Sequence, residues 1–311
     1  GTASATGPAA PATFDASAPS SRLNARVAIL GASGYSGQEF ARLAASHNGV
    51  RVVALASREH AGRPAAEMLP GLDPRATALP PVCAPDALGA LARDGAFDTI
   101  VVALPHGAWR TLATENPSLA HLPARVLDLS ADYRDGSEGY VYGLPEMSRA
   151  GITGAARVAN PGCYPTAATL ALLPAAEQGW LAGPAMVTAL SGVSGAGRAP
   201  SLRTSFVELD GGAALYKAGT VHPHVPEMER NLAGAGASVP VGFAPQLAPM
   251  ARGILLTATV PLSEAVAPEA VHALYTARYD GEPFVRVLDA GTWPETRAVR
   301  GSNRCDLAAT T

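Results

Sequence analysis

The chain has 311 residues, 48% of them hydrophobic and 16% charged, with 23 Lys plus Arg against 26 Asp plus Glu. That length suits about two domains with cores of their own, and the composition excludes a solvated disordered chain. A net charge of −3 speaks against electrostatic binding of nucleic acid, and no apolar run is long enough to span a membrane.

Residues 1–25 are rich in Ala, Ser, Thr and Pro and carry no periodicity. They cannot bury enough apolar surface to offset their ordering, so we read them as a disordered lead. Poor in acids yet almost without arginine, they resemble a transit sequence in one respect only. The expected compartment is the cytoplasm, with a plastid as the alternative. From Arg26 the pattern changes. Val27–Leu30 is a short apolar run, Gly37–Ser46 reads as a helix, and Val52–Ala56 as a second strand. Thr99–Leu104 and Arg125–Leu129 are further buried strands, and Asp86–Arg93 is a helix between them. Apolar strands alternating with helices indicate an α/β fold, a doubly wound parallel sheet.

The second half differs. Thr166–Gln178 is strongly helical. Val187–Leu190, Val239–Phe243, Gly253–Val260 and Phe284–Leu288 read as strands, with the helix Ala267–Arg278 between the last two. This is an α+β pattern with a mostly antiparallel sheet. The expected domains are residues 26–162, which bind a cofactor, and 163–311, which carry substrate and oligomer contacts.

Gly31-Ala32-Ser33-Gly34-Tyr35-Ser36-Gly37 follows the first strand and opens the first helix. In such a Rossmann-type turn the first glycine permits the bend, the second lets a pyrophosphate approach, and the third lets helix pack on strand. The free N–H groups of the helix then meet the phosphates. The second strand ends in Ser57 and Arg58, where an NAD site usually places an acid. A hydroxyl and a guanidinium suit a 2′-phosphate, so NADP is favoured over NAD.

Three cysteines, Cys83, Cys163 and Cys305, are an odd and widely spaced set without a CxxC pair. They form neither a disulfide framework nor a zinc ribbon, which points to a reducing compartment. Only Cys163 has a reactive setting. Asn160-Pro161-Gly162-Cys163-Tyr164-Pro165 places it at a helix start, where the local positive charge favours thiolate and lowers the pKa. The alternative is a buried, inert cysteine. A nucleophilic thiolate beside a nicotinamide implies attack on an activated acyl group, a thioester, and reduction to an aldehyde.

Two more segments fit that chemistry. Val221-His222-Pro223-His224-Val225-Pro226-Glu227 offers two imidazoles and a carboxylate for proton transfer. Its His-x-His pattern lacks a third metal ligand, so no metal is expected. Ser191-Gly192-Val193-Ser194-Gly195-Ala196-Gly197-Arg198 is a glycine-rich turn suited to an anion, with Arg198 as clamp.

GASGYSG at 31–37, LPHG at 104–107, DLSADYR at 128–134, VYGLPE at 141–146, ANPGCYPT at 159–166, SGVSGAGR at 191–198, VHPHVPE at 221–227 and GSNRC at 301–305 occur in that order. Through them the chain resembles the N-acetyl-gamma-glutamyl-phosphate reductases over residues 26–305. The resemblance implies a homo-oligomeric enzyme of arginine biosynthesis, a dimer or tetramer, acting on a small molecule with NADPH. It makes Cys163 the nucleophile and His222 the acid/base. Arg198, Asn160 and Glu227 contact or orient substrate, and Leu104, Pro105 and His106, with Ser191 and Gly192, lie beside the cofactor. A carrier-linked aminoadipyl-phosphate reductase is the closest rival reading, and a silent NADP-binding regulator is the other. Many relatives have a longer loop where Asp135–Gly139 stands, and they continue past GSNRC with a strand and a helix that return to the cofactor domain. Residues missing from the numbering would explain both departures and would appear as a chain break near residue 135.

Overall fold

The computed structural model describes residues 25–69 and 79–311. The expected disordered lead, residues 1–25, therefore lies outside the described residues except for Ala25, which instead opens the first strand.

Among the described residues the strands are β1 (Ala25–Leu30), β2 (Val50–Ala56), β3 (Val82–Cys83), β4 (Thr99–Val102), β5 (Arg125–Asp128), β6 (Val141–Tyr142), β7 (Arg157–Ala159), β8 (Ala185–Ser191), β9 (Ala214–Leu215), β10 (Val241–Leu247), β11 (Ile254–Thr259), β12 (Val285–Val287) and β13 (Cys305–Leu307). The first seven form one sheet, ordered β3-β2-β1-β4-β5-β7-β6, in which every pairing is parallel. Its strands are buried on both faces, which is why they read as unbroken apolar runs. Alternate residues go to opposite cores. Ala28, Leu30, Ile100 and Val102 pack with Trp109 and Phe97, while Val27, Ile29 and Val101 pack with Ala41 and Met68. The order reverses at β1, and the Gly31–Gly37 turn lies at that reversal, where doubly wound sheets open a crevice.

The second sheet is mixed, ordered β11-β8-β10-β9. Its outer pairings are antiparallel, but the long central pair β8–β10 is parallel. A small parallel pair, β12–β13, lies at the end of the chain.

The helix Cys163–Glu177 is apolar nearly all round, as a helix packed on both sides must be. Tyr164, Ala168 and Leu172 face the mixed sheet, and Leu170 faces Tyr275 and Tyr279 of the helix Pro268–Tyr279. Pro174 has no N–H for the carbonyl of Leu170. Tyr279 replaces it, its hydroxyl donating to Leu170 O at 2.6 Å.

The backbone runs through Arg134–Tyr140 in a tight turn that uses Gly136 and Gly139 at positive φ. Tyr133 stacks on Tyr140 at 4.3 Å and closes it, while the Trp109 indole donates to the Tyr140 hydroxyl.

Candidate active site

At the glycine turn the three glycines are required for different reasons. A Cβ on Gly31 would lie 2.5 Å from Ala103 O, and one on Gly37 would lie 2.4 Å from Gly31 O. Both are demanded by close protein packing. A Cβ on Gly34 would meet only ordinary contacts, the nearest at 3.6 Å. Packing within the chain therefore makes no such demand at Gly34. The helix Tyr35–Ala45 begins there with no side-chain cap and no acid in its first turn, leaving its N–H groups for an anion. Tyr35 is exposed at the mouth, and Ser36 begins the same helical turn.

Around this turn, Ser57 is buried and donates to the Ser33 hydroxyl at 3.1 Å. Arg58 follows, exposed beyond the end of β2. Leu104 touches the position above Gly31, and Pro105 and His106 continue from β4. His106 Nδ1 accepts the Ala131 N–H, which fixes the ring against the loop after β5. From the second half of the chain, Arg198 reaches over and donates to Ser33 O at 2.8 Å. The expected anion clamp is thus brought to the cofactor turn. Ser191 is buried at the end of β8, and Gly192 packs so tightly that a Cβ would lie 2.7 Å from Arg252 backbone. Arg252 in turn pairs with Glu39 at 2.8 Å.

Cys163 is the first residue of its helix, with Gly162 as N-cap. It is exposed on one face, yet protein crowds the sulfur, and that desolvation pushes the thiol up. The Tyr164 N–H and the Arg134 guanidinium pull the other way without prevailing. The expected lowering by the helix start is therefore outweighed. In the free chain the group rests as a thiol.

The two histidines lie in an aromatic cluster around Tyr164, the residue after Cys163. The His222 ring is 5.8 Å from those of Tyr164 and Tyr216 and 5.0 Å from Phe243. The Tyr164 and Tyr216 hydroxyls are hydrogen-bonded at 2.8 Å. His222 is buried, and burial first, then the Lys217 charge, lowers its pKa, so it is neutral at pH 7. Its Nδ1 accepts the His224 N–H at 3.1 Å, which leaves the proton on Nε2. His224 is held down to about 3, chiefly by burial and then by His222 and Arg134. Its Nδ1 is buried without a partner.

Glu227 and Asn160, expected to contact or orient substrate, belong to a buried network whose other members sequence reasoning missed. Glu227 takes three donors: the Gly162 N–H at 2.8 Å, the Tyr142 hydroxyl at 2.8 Å and Arg134 Nη1 at 3.2 Å. Arg134 also donates through Nε to Asn160 O at 2.8 Å and through Nη2 to Leu129 O at 3.3 Å. Asn231 joins Tyr142 to Thr169. Asn160 is thereby engaged through its backbone, its N–H bonding Asp128 O and its side chain Pro161 O. Arg134 reaches this place because the loop after β5 is tightly wound. Ser130 bonds the buried Asp128 by both N–H and hydroxyl, and the Asp132 N–H donates to the Ser130 hydroxyl. The only sequence sign was a basic residue at the end of DLSADYR. Among the described residues, no group of three or more His, Cys, Asp or Glu could hold a metal.

Residues 26–155 match the family model described as semialdehyde dehydrogenase, NAD binding domain, and residues 163–311 match semialdehyde dehydrogenase, dimerisation domain. The N-acetyl-gamma-glutamyl-phosphate reductase of Thermus thermophilus is 42% identical over 90% of this chain and 85% of that protein. Those of Geobacter sp. strain M21 and Halorhodospira halophila are 39% and 41% identical, over 92% and 90% of this chain and 86% and 84% of theirs. The chain belongs to the N-acetyl-gamma-glutamyl-phosphate reductase family. Its fold is shared with aspartate semialdehyde dehydrogenase II of Vibrio cholerae, at TM-score 0.70 and 14% identity over 92% of this chain and 88% of that one. A second solved structure, the Candida albicans enzyme with NADP, aligns at TM-score 0.63 and 15% identity, over 89% and 86% of the two chains.

Proposed function

We propose that the chain catalyses NADPH-dependent reduction of N-acetyl-gamma-glutamyl phosphate to N-acetylglutamate semialdehyde and phosphate, a step of arginine biosynthesis. One observation carries the reading: an exposed cysteine at a helix start, followed by Tyr164, whose ring lies edge-on at 5.8 Å to a buried, neutral His222, in the domain whose Arg198 touches the Gly31–Gly37 turn. Cys163 attacks the acyl carbon, the C–O bond to phosphate breaks, and a thioester remains. NADPH, when bound, would supply a hydride to the thioester carbon; the C–S bond of the resulting thiohemiacetal then breaks, giving the aldehyde and the Cys163 thiolate. Gly31, Gly34 and Gly37, with Ser33, Ser36 and the helix start, hold the pyrophosphate, while Ser57 and Arg58 take the 2′-phosphate.

His222 presents Nε2–H, so it is ready to donate to the developing alkoxide. As a base toward the thiol it must first change tautomer and give up the His224 bond. Arg198, bonded to Ser33 O, is the candidate clamp for a phosphate of substrate or cofactor.

The chain acts as a homo-oligomer, the finer reading being a dimer through the outer face of the mixed sheet. That face carries Met186, Thr188, Leu190, Ala244, Gln246, Leu255 and Thr257, without a charge. The compartment we assign is the cytoplasm. The test is phosphate-dependent oxidation of N-acetylglutamate semialdehyde with NADP, comparing the intact chain with Cys163→Ser. Activity confined to the intact chain is expected, and activity surviving in the variant removes the mechanism. A parallel assay with the aminoadipyl homologue separates the nearest enzymatic rival.

A further inference from the structure

We propose that Arg134 is a positioning residue for the nucleophile, holding the Asn160–Gly162 elbow and facing Cys163 with a fixed positive charge. The inference rests on the reading of Cys163 as nucleophile.

The bonds of Arg134 and its partner Glu227 converge on one short stretch. Arg134 grips the Asn160 carbonyl and Glu227 grips the Gly162 N–H, so the residues immediately before Cys163 are held from both sides. The two side chains are 6% and 5% exposed and 3.2 Å apart. A buried ion pair adds little net stability over a well-packed apolar pair, so stability is a weak reason for its presence. Its geometry instead serves the elbow. A Cβ on Gly162 would lie 2.9 Å from Arg134 Nη1, 2.9 Å from His224 Nε2 and 3.0 Å from Glu227 Oε2. Arg134 also comes from the loop after β5, whereas Glu227 belongs to the helix Val225–Gly234 of the other half. The pair thus joins the loop after β5 to the helix Val225–Gly234, against the elbow that precedes Cys163.

Arg134 and Glu227 are the charged side chains that act on Cys163, Tyr216 lies within its electrostatic reach, and the His222 and His224 rings pack on Tyr164, the next residue. Glu227 has its charge spread over three donors, and both histidines are held neutral at pH 7. The tyrosines are bonded to each other. Arg134 is the group whose charge favours the Cys163 thiolate against desolvation.

The test reads the thiol directly, without substrate, as the pH dependence of alkylation of Cys163 by iodoacetamide in the full chain. Cys163→Ser supplies the background from Cys83 and Cys305. Removing Arg134 alone strands a buried carboxylate, so the charge is tested in the double variant Arg134→Met with Glu227→Gln. Its Cys163 alkylation at pH 7 should fall a few-fold, the loss of Arg134 outweighing the loss of the Glu227 charge that raises the thiol, with an unchanged far-UV circular dichroism spectrum. An alkylation profile superimposable on that of the parent overturns the charge role. Arg134→Lys keeps the charge and loses the fork. It should alkylate like the parent while kcat falls about tenfold at unchanged KM. Parent-like kcat in that variant overturns the positioning role, and this readout stands even if the double variant does not fold. If Cys163→Ser keeps activity, the nucleophile reading fails, while the alkylation profiles still report on Arg134.

Discussion

The glycines of the cofactor turn make a paired test in which stability and binding should separate. In Gly37→Ala the new Cβ would stand 2.4 Å from Gly31 O and 2.8 Å from the Ala32 Cα, both backbone atoms that no rotamer change can move. Alanine within a helix gains about 1 kcal/mol over glycine. Overpacking against fixed backbone costs about 1–3 kcal/mol and sometimes more. With a contact this short the upper part of that range applies, so the net loss should be about 1–2 kcal/mol. Gly34→Ala differs in sign and kind. Gly34 sits at φ −75°, ψ 163°, a conformation alanine adopts freely, and its Cβ would meet nothing closer than 3.6 Å. The unfolded-state gain of about 0.4–1 kcal/mol roughly cancels the poorer N-cap. Stability should stay near the parent while NADPH affinity drops, because the added methyl occupies the phosphate cradle. Urea unfolding and fluorescence titration with NADPH measure the two effects. A Gly37→Ala variant with the parent midpoint, or a Gly34→Ala variant that binds NADPH like the parent, would refute this division of labour.

Two further outcomes follow from single side chains. Arg58→Ala should weaken NADP binding by about 10–100-fold, the worth of a charge-assisted bond to phosphate, and leave NAD binding unchanged; equal losses for both cofactors in a direct titration would remove Arg58 from the 2′-phosphate. Lys217→Met should raise the His222 pKa, since the lysine acts with burial to lower it. His222 then becomes protonated at a higher pH, and the acid limb of the kcat/KM profile should move upward. An unmoved limb would mean that another group governs it.

Much of this arrangement was legible in the residues because it is local. The strand–turn–helix order around Gly31–Gly37 announces itself, and Pro165 marks the helix start that places Cys163 in its first turn. Pairing direction is another matter. The alternation along β8 and β10 reports which side chains are buried but not which way the neighbour runs, so the parallel central pair was invisible. The thiol's direction was misjudged because helix polarity can be read from sequence while crowding around the sulfur cannot. Arg134 and Glu227 are 93 positions apart, and no local pattern joins them. Arg198 was recognisable as an anion-seeking residue, yet its meeting with Ser33, 165 positions away, depends on how the halves of the chain close.

Gly162 limits how far this nucleophile can be treated as a portable motif. Its backbone, at φ −65° and ψ 150°, suits any amino acid, so conformational preference alone would place no demand there. The demand is volumetric and comes from Arg134, His224 and Glu227, contributed by two distant stretches of chain. Copying the six residues around Cys163 into another scaffold would carry over the sulfur and the helix start but not the wall behind them. The transplantable unit is therefore three segments in fixed register, and a substitution in any one of them will be felt by the other two before it is felt by substrate.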